Sequence, residues 1–431
     1  MATKVEWYGE FYQPDYRPAR DDLVVLFYFE PAKGISWKEA VGRIASESSA
    51  GTWTTLARLP RRIESVKAKA FEVKGNLVKV AYPLDLWDEG NMPQLLSGIA
   101  GNIFGMKALR NLRLLDASLP RAYTRHYPGP QFGIQGLRKV FKAYGRPLTG
   151  AVPKPKIGWS AAEHAEVAFE TWMGGFDLCK DDENLTSTPF NRFEERVRLM
   201  TKMREKAEKL TGETKSALLN ITAETREMER RAKMLHEYGW EYAMVDVVTV
   251  GPAGVQTARE FCGDYKLAIH AHRAMHAAFD RNPRHGMTMQ FLAKINRLMG
   301  VDQIHAGTVV GKLVGGKREV LNNQKVLSLA RTPEGDGLLE QDWGSIKPAF
   351  PVASGGLHPG LVPMVLHHLG NDIVLLVSGG IHGHPKGTRA GAKAAVQAIE
   401  AFNHGTDLEE HAKRHPELAQ ALEKWGHLRP R

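Results

Sequence analysis

The chain has 431 residues, 43% hydrophobic and 25% charged, too long for one ordinary core and too apolar for wholesale disorder. Its longest uninterrupted aliphatic run, Ile373 to Val377, is far short of a membrane span. With only Cys179 and Cys262, a disulfide framework and a Cys-based zinc site are excluded. The formal charge of +10 admits nucleic acid, a membrane surface or a multiply anionic substrate. Lys and Arg are scattered along the whole chain, however, with no basic tail or aromatic-studded patch, so neither nucleic acid nor membrane is the expected partner. Met1 to Trp7 lack the charged-then-apolar order of a signal peptide, and a cytoplasmic protein is expected.

In residues 1–125, Leu23–Phe29 and Leu77–Tyr82 read as strands and Ser36–Ser46 and Met92–Ile99 as helices, a small α+β domain. From Leu148 the pattern changes to short apolar runs alternating with amphipathic stretches. The eight runs are Leu148–Val152, Phe176–Cys179, Ala217–Ile221, Tyr242–Val248, Leu267–His272, Gln303–Val309, Ala349–Ala353 and Ile373–Val377. Helix-period segments lie between them: Ala161–Met173, Phe193–Leu210, Thr225–Tyr238, Val255–Cys262, Thr288–Leu298, Pro359–Leu369 and Ala390–Phe402. Ser160-Ala-Ala-Glu163 is a capping box that sets the first helix start. Eight strands alternating with helices predict a (β/α)8 TIM barrel over residues 126–405, with a short helical C-terminal tail at 406–431.

In such a barrel, chemistry sits where each strand ends. Strand one ends in Lys154-Pro155-Lys156, strand two in Lys180-Asp181-Asp182-Glu183, strand five in His270-Ala271-His272-Arg273 and strand six in His305. Strand seven ends in Ser354-Gly355-Gly356 and strand eight in Ser378-Gly379-Gly380. Asp182 and Glu183 are oxygen ligands of the kind Mg²⁺ wants. The alternative for that run is an acidic first helical turn with Lys180 as its ion partner. His270 and His272 share one strand face, as two zinc ligands would, but adjacent Arg273 repels a divalent cation. A general acid/base beside an anion-binding arginine fits better, with His270 and His276 as packing residues. Two Gly-Gly ends in one mouth, with Arg273, His305 and several lysines, suggest a substrate with two phosphates; singly, each is a tight turn. Gly307 to Gly316, with four glycines around Lys312, suits a mobile lid carrying a cation, or a plain surface loop.

With these residues in view, the chain resembles the ribulose-1,5-bisphosphate carboxylase/oxygenase (RuBisCO) large subunits, most closely the archaeal-type form III. The shared motifs run from Glu47-Ser-Ser-Ala-Gly-Thr52-Trp53 and Gly101-Asn102-Ile-Phe-Gly105 to Pro153-Lys154-Pro-Lys156 and Gly174-Gly-Phe-Asp-Leu-Cys-Lys180-Asp-Asp-Glu-Asn184. They continue through His272-Arg-Ala-Met-His276, His305-Ala-Gly-Thr-Val-Val-Gly-Lys312 and Ser354-Gly-Gly356. Leu185-Thr-Ser-Thr-Pro-Phe-Asn-Arg-Phe193, Asn220-Ile-Thr-Ala223 and the ending Ala421 to His427 favour form III.

The resemblance implies that Lys180 reacts with CO₂ to form a carbamate, which ligates Mg²⁺ beside Asp182 and Glu183 and takes the C3 proton of ribulose 1,5-bisphosphate. CO₂ then adds at C2, and cleavage of the hydrated product gives two 3-phosphoglycerates, with O₂ as a competing substrate. It further implies that Lys154 manages protons at C2, that His272 is a base around C3, and that Lys312 stabilises the incipient carboxylate. Lys156, Arg273, His305, Ser354, Gly355, Gly356, Ser378, Gly379 and Gly380 would hold the substrate. Glu47, Thr52, Trp53 and Asn102 would complete the neighbouring subunit's site, making a homodimer the minimal unit, alone or in a ring of dimers, without a small subunit. A source of substrate in AMP breakdown is the further implication.

Three departures stand out. Val314 follows the lid lysine where many members carry glutamate, Leu376-Val377-Ser378 replaces a common Gln-x-Gly, and Val152 replaces a threonine of plant-type enzymes. The competing readings are a RuBisCO-like enolase or isomerase, which typically lacks several of these residues, and a basic nucleic-acid-binding protein on a degenerate barrel. The first predicts enolisation without carboxylation, the second salt-sensitive retention on nucleic acid.

Overall fold

The computed structural model describes residues 6–52, 54, 56–310 and 316–428. The chain divides into two compact units. The first comprises Met1–Pro128, Met275–Leu298 and Leu329–Ile346; the second comprises Gly129–Ala274, Met299–Ser328 and Lys347–Arg431.

The first unit is built on a five-stranded sheet, ordered Gly286–Met287, Leu109–Ser118, Leu23–Pro31, Leu77–Tyr82, Lys69–Lys74. All pairs are antiparallel except the first. Leu23, Val25, Phe27 and Phe29 are buried, the period-2 face that the strand pattern demands. Helix Trp37–Glu47 buries Ala40, Val41, Ile44 and Ala45 and is capped by Ser36, whose hydroxyl accepts the Glu39 N–H at 3.2 Å. A fully buried ion pair links Lys294 to Asp116 at 2.7 Å, and the same carboxylate accepts the Leu339 N–H at 2.7 Å. One charge pair thus ties the three segments of this unit together.

The second unit is a parallel barrel. Its strands are β1 (Leu148–Ala151), β2 (Leu178–Lys180), β3 (Ser216–Leu218), β4 (Tyr242–Asp246), β5 (Ala268–His272), β6 (Gln303–His305), β7 (Phe350–Ser354) and β8 (Val374–Leu376). Except between β3 and β4, each pairs in parallel with its sequence neighbours, and β8 pairs with β1. The β3–β4 seam closes through the Met244 N–H to Leu219 O and the Ile221 N–H to Met244 O, at 2.9 and 3.0 Å. The barrel helices are α1 (Ala161–Met173), α2 (Phe193–Thr211), α3 (Thr225–Glu237), α4 (Val247–Asp264), α5 (Lys317–Ser328), α6 (Val362–Leu369) and α7 (Thr388–Asn403). The C-terminal helix α8 (Pro416–Trp425) packs on α7. Strand alternation sorts the core. Val374 and Leu376 join Leu148, Leu178 and Tyr242 in a cluster with Ile134 and Leu137 of helix Gly133–Phe141. Leu375 and Val377 instead join Val365 and Leu366 of α6 and Ala395 and Ile399 of α7. Among the described residues no helix is long and apolar enough to cross a membrane.

All eight expected strands are present, and the Ser160–Glu163 capping box forms as read. Three differences have physical reasons. The run after Tyr242 is not all strand: α4 begins at Val247 and is interrupted at Gly251, where φ is +79°. Helix α5 was not expected, because its buried face carries Asn322 and Asn323 rather than an unbroken apolar stripe; the Asn323 amide donates to Ala306 O at 3.0 Å. Strand Leu109–Ser118 was also missed, its alternation broken by a register shift.

Candidate active site

The C-terminal ends of the barrel strands carry the charged residues of this unit's mouth. At the end of β2, Lys180 is only 1% exposed and its ammonium group donates to Asp181 O at 2.8 Å. Burial pushes its pKa below the ordinary lysine value, opposed by the carboxylates of Glu183 and Asp182. The neutral amine, which has a lone pair to use as a nucleophile, is thereby favoured. Around it, Asp182 Oδ2 lies 3.8 Å from Lys154 Nζ, Glu183 Oε1 3.8 Å from Lys156 Nζ, and Glu183 Oε2 3.6 Å from His272 Nε2. These ion pairs are longer than hydrogen-bonded ones, so both carboxylates keep oxygen lone pairs available for a hard cation. Among the described residues no three His, Cys, Asp or Glu side chains converge as a metal cluster. Asp182 and Glu183 are carboxylate donors of the kind Mg²⁺ takes, and Lys180 precedes them at the end of the same strand.

Asp181, between the lysine and the two ligand candidates, does a different job. Its carboxylate is buried, paired with Arg196 Nη2 at 3.0 Å, and accepts the Asn220 N–H at 2.9 Å. His164 Nε2 stands 3.2 Å from its other oxygen but off-line for a hydrogen bond. Burial alone would raise the Asp181 carboxyl; Arg196 and His164 outweigh it, and the pKa falls below the ordinary value. The ionised carboxylate thus anchors the turn that presents Asp182 and Glu183.

On β4 and β5, His272 Nδ1 accepts the Ala274 N–H at 3.1 Å and lies 3.3 Å from Asp246 Oδ1. Burial, then Lys180, pushes His272 toward its neutral form. Burial raises the Asp246 carboxyl to about 7. The bare nitrogen of the neutral ring is then Nδ1, which takes up a proton only as its bond from the Ala274 N–H gives way. His305, at the end of β6, sits with its ring 4.6 Å from that of His272 and bonds Ser354 Oγ at 2.7 Å.

The glycine ends differ in what they tolerate. Gly355 and Gly356 have φ of +112° and +75°, conformations that exclude ordinary side chains. Ser378 spends its oxygen on the Val152 N–H at 3.0 Å, stapling the end of β8 to the end of β1. At Gly380 a Cβ would lie 2.4 Å from His358 Cα and 2.5 Å from Leu357 O. Both are backbone atoms of the loop after β7, so Gly380→Ala is expected to push the two glycine-bearing loops apart. The predicted result is weaker binding of a phosphate-bearing ligand by about tenfold, the scale of one charge-assisted hydrogen bond, read as a raised Kd with the fold retained.

The second unit thus brings together Lys154, Lys156, Lys180, Asp182, Glu183, His272, Arg273, His305, Ser354 and the Gly-Gly ends as strand-end residues. Glu47, at the end of its helix, Thr52 and Asn102 belong to the first unit, where Glu47 and Asn102 are exposed and Thr52 half-buried. Trp53, Lys312 and Val314 lie outside the described residues. Asn220 and Asp246 were not singled out as site residues, because they lie inside the third and fourth apolar runs; in the structure Asn220 follows β3 and Asp246 ends β4. His164 and Arg196 lie on helices, where no sequence signal marked them.

A family model for the ribulose bisphosphate carboxylase large chain, catalytic domain, matches residues 133–425, and one for the N-terminal domain of the same chain matches residues 10–123. A ribulose bisphosphate carboxylase of Pyrococcus abyssi is 54% identical over 434 residues, covering 100% of this chain and 99% of that one. One from Methanocaldococcus jannaschii is 48% identical over 423 residues, with 95% and 98% covered. Among solved structures, the octameric Rubisco of Pyrococcus horikoshii OT3 in complex with sulfate superposes with a TM-score of 0.91 at 53% identity, covering 98% of each chain. A dimeric archaeal Rubisco from Hyperthermus butylicus does so with a TM-score of 0.93 at 48% identity, covering 98% of this chain and 100% of that one. The chain belongs to the ribulose bisphosphate carboxylase large-chain family.

Proposed function

We propose that the protein is a Mg²⁺-dependent carboxylase of ribulose 1,5-bisphosphate. The observation that carries this reading is the buried Lys180 at the end of β2, held toward its neutral form, with Asp182 and Glu183 two and three residues on and in long ion pairs. Its amine adds CO₂, loses a proton and becomes an anionic oxygen donor beside Asp182 and Glu183. Mg²⁺, when bound, polarises the substrate carbonyl and stabilises the negative charge that develops as the C3 proton leaves. The modified Lys180 takes that proton, and neutral His272 serves as a second base at C3. Lys154 returns a proton at C2 after CO₂ has added there and water has cleaved the C2–C3 bond. Lys312, which the sequence sets among four glycines, meets the new carboxylate. The balance is one bisphosphate, one CO₂ and one water giving two 3-phosphoglycerates and two protons.

Arg273, Lys156, Ser354, Gly355, Gly356, Ser378, Gly379 and Gly380 hold the two phosphates and the intervening hydroxyls, with His305 acting from behind Ser354, to which it is hydrogen-bonded. Glu47, Thr52, Trp53 and Asn102 complete the site of a second subunit, so the working unit is a homodimer, alone or in a ring, without a small subunit. The domains follow as 1–125, 126–405 and the tail 406–431. O₂ competes with CO₂ for the same carbanion, the substrate derives from AMP breakdown, and the enzyme works in the cytoplasm.

The test is formation of labelled 3-phosphoglycerate from ribulose 1,5-bisphosphate and labelled bicarbonate under nitrogen, after preincubation with CO₂ and Mg²⁺. Product is expected with Mg²⁺ and none after chelation. A folded protein that binds the bisphosphate, exchanges its C3 proton and fixes no label would be an enolase-type relative instead.

A further inference from the structure

Behind the mouth, one hydrogen-bonded chain runs through three barrel strands. Gln303 Nε2 lies 2.9 Å from His270 Nδ1, His270 Nε2 lies 3.2 Å from His305 Nε2, and His305 Nδ1 lies 2.7 Å from Ser354 Oγ. Gln303 and His270 are fully buried and His305 nearly so, while half-buried Ser354 alone reaches the mouth. Burial above all, reinforced by Lys180 and neighbouring histidines, pushes both imidazoles well below the ordinary histidine value. Each ring therefore carries a single N–H.

A neutral imidazole that accepts at one nitrogen donates at the other. The polarity of the whole chain is then decided at its buried end. An amide nitrogen can only donate, so His270 accepts at Nδ1 and donates from Nε2. His305 accepts at Nε2 and donates from Nδ1 to Ser354 Oγ. That leaves the serine O–H for an acceptor in the mouth. Were an oxygen placed where the Gln303 amide nitrogen stands, every donor would reverse and the serine hydrogen would be spent on His305.

We infer that Gln303 is a positioning residue: through His270 and His305 it sets the polarity by which Ser354 offers a hydrogen, not a lone pair, to an anionic oxygen of the bisphosphate. The identity of that ligand rests on the carboxylase reading; the polarity does not.

Nitrogen-15 spectra of the full-length protein, labelled at histidine, read the polarity directly, because protonated and bare ring nitrogens differ in shift. The expected wild-type result is opposite tautomers, Nε2–H on His270 and Nδ1–H on His305. Nδ1–H on His270 would overturn the inference. Gln303→Glu, which puts an acceptor at the same place, is expected to invert both tautomers. It should weaken binding of ribulose 1,5-bisphosphate by about tenfold or more, the scale of losing one hydrogen bond to a charged group. In a Ser354→Ala background the same substitution should cost nothing further, because the chain then has no hydroxyl to orient. Should Gln303→Glu fail to fold, Gln303→Met removes the donor without adding an acceptor. It should show both tautomers at each ring; tautomers unchanged from wild type would overturn the inference. Carboxylation enters none of these readouts. A protein that fixes no CO₂ yet shows the expected tautomers would sink the proposed function alone.

Discussion

Replacing Lys180 by methionine is expected to reduce carboxylation by about 10²–10⁴-fold or more, the range over which a positioned acid–base group acts, with the protein still folded. The side chain is proposed to do two things that methionine cannot: add CO₂ to supply an anionic oxygen, and take a proton from the substrate. Neither is restored by Lys180→Arg, since a guanidinium stays charged and cannot act as the nucleophilic amine. The stability cost should be small. Methionine fills nearly the same volume, and what it removes is one hydrogen bond to Asp181 O and a buried group whose charged form burial disfavours. Two measurements check this. Labelled bicarbonate incorporation gives the rate, and wild-type activity should rise with time of preincubation in CO₂ and Mg²⁺ while the variant shows no such rise. A Lys180→Met protein with near-normal incorporation would remove the basis for the proposed metal site.

Much of the barrel was legible because parallel strands buried on both faces read as short apolar runs, and polar residues at their ends have no packing reason to be there. Lys180, His272 and His305 were visible on that ground alone. The same rule applied at Asn220 and Asp246 finds two more residues that touch the site; Asp246 was hidden because Val247 and Val248 extend its apolar run into helix α4. What could not be read were contacts made across the fold. Nothing about Arg196, the fourth residue of a charged amphipathic stretch, marks it as buried against Asp181 rather than solvated like its neighbours Glu194 and Glu195. Nor does Gln303, the first residue of an apolar run, announce that it faces His270. Residues such as these derive their meaning from a partner on another strand or helix, and a linear pattern carries no such information.

Removing that hidden arginine should have the largest effect on stability. In Arg196→Met we expect unfolding to become easier by about 3–5 kcal/mol, the scale on which breaking one side of a buried ion pair acts. The guanidinium is fully buried and all its bonds are internal. It donates to Asp181 Oδ2 at 3.1 Å, to Asn191 O and Oδ1 at 3.1 and 2.9 Å, and to Thr186 O at 2.7 Å. Methionine matches its bulk but leaves the Asp181 carboxylate without its main counter-charge and three acceptors without their donor. The damage should not stay local. The loop those bonds hold is the one that carries Asp182 and Glu183, so affinity for the proposed Mg²⁺ should fall together with the urea midpoint. Asp181→Asn combined with Arg196→Met should cost less than the two single changes added, because neither buried charge is then left alone. Strict additivity would mean that the pair is not coupled, and a wild-type midpoint in Arg196→Met would mean that the loop is held from elsewhere.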